Sequence, residues 1–212
     1  MRRMSDPAYV TEAQNNLHGE NIAPITQLCE SLKDPGKGPV PYVDPGYDVD
    51  EARILVLTAA PGPGTASGFL SHENDDDTSE RLVRVFQSAG LAPRYAVPWT
   101  VHPWTQDDFA INLTKDQIAA GVKPFNRFLK LVPRVVAIMA HGGEAQKLIK
   151  AFSATIGGTI LDSKAIKVFP LPALHAQTAN RKQTPEEAEE QMTEAYAQAM
   201  RLCGIRPLVS EN

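Results

Sequence analysis

Arg53-Ile54-Leu55-Val56-Leu57-Thr58, followed at once by Ala59-Ala60-Pro61-Gly62-Pro63-Gly64, is the stretch on which the reading of this chain turns. An unbroken aliphatic run of this length reads as a strand covered on both faces, of the kind found inside a parallel sheet. The prolines and glycines that follow break the strand and call for a tight turn. The same grammar recurs downstream. Arg94 to Val101, Arg134 to Ala140 and Ala165 to Phe169 read as three more strands. Helices are predicted between them: from an N-cap at Thr78 or Ser79 to Ala89, closed by Gly90; from Pro124 to Leu131; and from Gly143 to Phe152. A last helix opens at Thr184-Pro185-Glu186-Glu187, with Pro first and acids in its first turn, and runs to about Leu202 before Gly204. Strands separated by helices predict the class: α/β, a three-layer αβα fold with a four-stranded, mostly parallel central sheet.

Outward from this core, residues 1–50 are rich in Pro, Gly and Asn and read as an arm with one helix, Ile22 to Leu32, packing on a domain of residues 51–212. A length of 212 residues suits one ordinary domain, and 42% hydrophobic with 22% charged residues lies far from the disordered corner. The longest apolar run, Val135 to Ala140, is far short of a membrane span, and the first residues lack the apolar stretch of a leader, so no membrane partner and a cytoplasmic location are expected. Cys29 and Cys203 alone cannot supply a four-thiolate site; no metal and no cofactor are expected. A net charge of −4 excludes a uniformly basic nucleic-acid binder but leaves room for a local basic rim. A monomer is expected.

In open parallel sheets ligands bind outside the carboxyl ends of the strands. That rule selects Ala59 to Ser71, Thr100 to Trp104, His141 to Gly143 and Pro170 to Lys182. The first of these, taken alone, is a structural turn or a phosphate cradle; it lacks the G-x-x-x-x-G-K-[ST] pattern and any Lys to reach a phosphate. Read together, the segments Ala59-Ala60-Pro61-Gly62-Pro63, Ser67-Gly68-Phe69-Leu70-Ser71, Asn74-Asp75-Asp76-Asp77-Thr78, Trp99-Thr100-Val101-His102-Pro103-Trp104 and His175-Ala176-Gln177-Thr178 with Asn180-Arg181 are informative. In order and spacing, over about residues 40 to 200, they resemble a branch of the uracil-DNA glycosylase superfamily.

The resemblance implies a base rotated out of the duplex into a pocket, stacked on an aromatic ring and read along its polar edge. It assigns the stacking ring to Phe69, the lesser alternative being a core residue under a loop. Ala59, Ala60, Pro61, Gly62, Asn74, Thr100 and His102 would line the substrate. His175 would donate to the departing base as charge builds on it. Ser67, Gln177, Asn180, Arg181 and Lys182 would contact DNA, although basic loop residues are commonly just solvated. The resemblance also fails at three places. Two alanines, Ala59 and Ala60, stand where an acid or amide should position water. Thr100 replaces the Asn that reads uracil and offers one hydroxyl in place of a paired donor and acceptor. Ala176-Gln177 replaces Pro-Ser. The expected function is therefore a monofunctional, hydrolytic DNA glycosylase for a modified pyrimidine, with Asp76 as the carboxylate that supplies catalysis in place of the missing water-activating residue unless it only caps the next helix. Bulky bases of bacteriophage DNA would suit an enlarged pocket, which suggests a defence role. A Schiff-base route would need a Lys, and only Lys182 occurs in these segments. The alternatives are an inactive DNA-binding module on the same fold, a uracil repair enzyme, or an unrelated nucleotide-binding hydrolase.

Overall fold

A computed structural model describes residues 2–106, 109, 112–175 and 183–208. Its centre is a sheet of four parallel strands in the order β4-β2-β5-β6: β2 (Ile54–Thr58), β4 (Ala96–Thr100), β5 (Ala137–His141) and β6 (Lys167–Leu171). Each strand alternates its side chains between two cores, because successive residues of a strand face opposite ways. Leu55, Leu57, Val97, Trp99, Ile138 and Ala140 pack under α2 (Ala23–Leu32), α4 (Lys115–Leu131) and α5 (Gly142–Ser153). Ile54, Val56, Ala96, Ala137 and Met139 pack under α3 (Asp77–Ala89) and α7 (Pro185–Cys203). This is the expected three-layer αβα arrangement. A short helix, α6 (Gly157–Ser163), links α5 to β6. Among the described residues no helix is long and apolar enough to cross a membrane.

Several elements start or lie where the sequence reading did not put them. The arm holds α1 (Pro7–Asn15) besides α2, and α2 contributes Ile25, Leu28 and Cys29 to the main core. A two-residue strand, β1 (Tyr42–Val43), pairs in parallel with β3 (Phe69–Leu70), a pairing across 27 positions that no local pattern announces. Pro124 opens no helix. It lies inside α4, whose true start is the capping box of Thr114 and Gln117. The expected second strand is shortened to Ala96–Thr100 because Pro93–Tyr95 forms a 3-10 turn.

The direction of the crossovers creates a crevice. After β2 the chain passes to α3 on one face, whereas after the adjacent β5 it passes to α5 on the other. Neighbouring strands whose exits diverge leave a gap beyond their carboxyl ends.

Candidate active site

A cavity of about 680 Å³ opens at that gap, within the ~300–1,000 Å³ usual for small-molecule sites. Three strand exits line it: Thr58, Ala59 and Ala60 after β2; His141 to Glu144 after β5; and Pro172 to His175 after β6. The β3–α3 turn supplies Ser71, Asn74 and Asp76.

The loop after β2 is shaped by its own hydrogen bonds. Pro63–Ser67 coils into a 3-10 turn ended by Gly68 at φ 89°, a left-handed conformation that favours glycine. Ser67 Oγ donates to Asn74 Oδ1 at 2.8 Å, and Asn74 Nδ2 donates to Phe69 O at 2.9 Å. Asn74 is thus on the cavity wall with both amide atoms engaged in holding the loop. Asp76 caps the next helix and also reaches the cavity. Its Oδ1 accepts from Ser79 N at 2.7 Å as the N-cap of α3, and the residue also lines the cavity. Its Oδ2 packs over Gly64 so closely that a Cβ there would collide with it.

Three histidines, a second acid and Tyr47 add to the polar lining. His141 is fully buried. Its Nδ1–H donates to Pro172 O at 3.1 Å and its Nε2 accepts from the Tyr196 hydroxyl at 3.0 Å, which fixes one neutral tautomer. Burial drives its pKa down to about 4. His175 is half-buried; burial lowers its pKa, Glu144 acts in the opposite sense, and Arg81 adds to the lowering. Glu144 stands in the first turn of α5, with Lys147 Nζ at 3.3 Å. Beside it the opening amides of α5 have no side-chain cap, so the positive end of the helix is presented to the cavity. On the far wall the Tyr47 hydroxyl lies 2.7 Å from His72 Nδ1 and accepts from His72 N at 3.1 Å. Burial lowers the pKa of His72 against the pull of Glu73.

Of the residues selected from sequence, Ala59, Ala60, Gly62, Asn74, Asp76 and His175 meet at this cavity. Phe69, Thr100 and His102 do not. Phe69 alternates with Leu70 on β3: Leu70 faces the cavity, and Phe69 turns the other way into a cluster with Met4 and Ala13 of the arm. Thr100 is buried at the end of β4, its Oγ1 without a hydrogen-bond partner among the described residues. Beyond it Val101 N and His102 N bond to Thr58 O and Ala59 O, and Trp104 Nε1 bonds to Leu32 O, so the segment is drawn over β2 toward the arm. His102 is buried against Trp104, with ring centroids 5.0 Å apart. Pro61 is buried and Ser67 is occupied within its loop. Gln177, Asn180, Arg181 and Lys182 lie outside the described residues.

Sequence reasoning missed Glu144, His72, Tyr47 and Phe109. Glu144 sits one residue past a selected segment, and the strand-end rule could have found it. Phe109 places a ring on the cavity wall, at φ 50°, with its N–H bonded to Gln106 O at 3.0 Å; Gln106 is held by Gln117 of α4. A bulky residue in the left-handed region is uncommon and nothing local predicts it. Comparison of the chain with protein-family models and with curated proteins gives no match.

Proposed function

We propose that this chain is a hydrolytic DNA glycosylase that removes a modified pyrimidine rotated out of the duplex into the carboxyl-edge cavity. The observation that carries the reading is the convergence of two carboxylates, Asp76 and Glu144, and the His175 imidazole on one roomy cavity. Its neighbouring walls are the small residues Ala59, Ala60, Gly62 and Gly143. Small walls admit a substituted base, and Phe109 offers an aromatic face where Phe69 does not.

In the reaction the bond between the sugar C1′ and the base nitrogen breaks, and its electron pair leaves with the base. A cation-like sugar remains, stabilised by the carboxylates. Asp76 Oδ2 accepts a proton from water as the water oxygen bonds to C1′. His175, kept neutral by burial, donates an N–H hydrogen bond to the departing base, and Glu144 orients the ring. The base anion then takes up, through solvent, the proton that Asp76 removed from water, which restores the carboxylate, and it diffuses away to leave an abasic site. Bulky pyrimidines of this kind fit a role in defence against bacteriophage DNA.

The test is a single-turnover assay on oligonucleotides carrying uracil, hydroxymethylated or glucosylated pyrimidines. Wild-type protein should release one of these bases, and His175→Ala should be slower by roughly 10²–10³-fold, the cost of removing one transition-state donor. Asp76→Asn should be similarly impaired while its stability is retained, because Asn caps a helix as well as Asp does. Tight binding without release from any oligonucleotide would establish the binding-module alternative instead.

A further inference from the structure

Arg81 of α3 stands behind the cavity, with its side chain 7% exposed. Nη2 donates to Pro185 O at 2.7 Å, and Nη1 reaches Leu174 O at 3.4 Å. Those two carbonyls lie on either side of residues 175–184. Nε faces Glu189 Oε2 of α7 at 3.5 Å, an ion pair too long for a hydrogen bond, and Nε has no hydrogen-bond partner among the described residues. Glu189 is held more closely by Arg84, at 3.1 and 3.2 Å. A guanidinium withdrawn from water costs several kcal/mol unless close partners offset it. Here its nearest oxygen is a main-chain carbonyl, although a carboxylate stands within reach.

We propose that Arg81 is a positioning residue for the cavity: from behind, it ties the main chain on both flanks of the segment that begins with His175, and so sets where that imidazole stands. A planar fork suits this task, because its separate N–H groups point at two carbonyls at once, which a single ammonium does not match. The cation also acts through space. Among the described residues, the charged groups bearing on His175 include Glu144 from α5 and Arg81 from α3, with Glu189 of α7 behind the guanidinium. Arg81 opposes protonation of His175 and of His141 alike, in the same direction as their burial. A neutral ring that donates a hydrogen bond is what the proposed reaction requires. The inference rests on that reading for its meaning in catalysis, but its test does not use base release.

Arg81→Lys keeps the charge and loses the fork; Arg81→Gln loses both. Both variants are compared with wild type by NMR titration of the His175 ring and by hydrogen exchange of peptides covering 171–175 and 183–188. Exchange in both peptides should quicken in both variants by roughly tenfold, the factor that goes with one charge-assisted hydrogen bond. The titration midpoint of His175 should rise in Arg81→Gln and stay near wild type in Arg81→Lys. Unchanged exchange in the folded variants, or an unmoved midpoint in Arg81→Gln, overturns the proposal. If Arg81→Gln does not fold, exchange in Arg81→Lys decides it alone. Because neither readout needs a substrate, a failure of the glycosylase reading would leave this result standing.

Discussion

His141 sits at the cavity with both ring nitrogens engaged, one donating to Pro172 O and one accepting from Tyr196. That arrangement has a place for one proton, and the depressed pKa of about 4 follows from burial. The unfolded chain binds a proton at this ring near pH 6.5, while the folded chain resists until about pH 4. Its contribution to stability is therefore present above pH 6.5 and is lost as the pH falls toward 4, to a total of roughly 3 kcal/mol. Urea unfolding at a series of pH values should show this loss in the wild type and a flatter profile in His141→Gln. Equal slopes for the two proteins would contradict it. The strand-end rule alone does not separate this ring from His175; in the sequence only the motif resemblance, which covers His175, does. Both follow strands, and their non-local surroundings differ: Pro172 O and the Tyr196 hydroxyl engage both ring nitrogens of His141, whereas the charges of Glu144 and Arg81 bear on His175.

Among the elements, α4 makes one very close approach to the main chain. Gly121 lies against Val101 O so tightly that an added Cβ would collide with the carbonyl. Gly121→Ala should cost about 1–3 kcal/mol by forcing α4 away from the end of β4, although Ala is the better helix former in isolation. A lower denaturation midpoint checks this; an unchanged or raised midpoint refutes it. The same helix shows where the sequence was misleading. Pro124 looks like a first position because Pro usually is one, yet Thr114 and Gln117 had already begun the helix. The strands were legible because a continuous aliphatic run has few other places to go. Three of the four segments chosen by the strand-end rule reach the cavity, since that rule depends only on the order of elements; Thr100 to Trp104 does not, and the turn with Asn74 and Asp76 came from the motifs instead. Which side chains turn inward was not legible: the direction of Phe69 is set by β3 pairing with β1, a contact between distant parts of the chain.

For the molecule as a whole, the crevice exists because the exits of β2 and β5 pass to opposite faces, and the arm closes the fold on the side where Trp104 and Phe69 are buried. The cavity therefore draws its polar groups from separate parts of the chain, with Asp76, Glu144 and His175 on three different connections. On the proposed glycosylase reading, such a site should bind the cationic sugar of the bond-breaking step more tightly than the intact nucleotide, whichever base is removed. A duplex carrying a single 1-azaribose abasic unit, protonated at neutral pH, mimics that sugar without a base. This duplex should bind at least roughly 10²-fold tighter than the same duplex with a normal nucleotide, and Asp76→Asn should abolish the difference. Equal affinity of the wild-type protein for the two duplexes would contradict it.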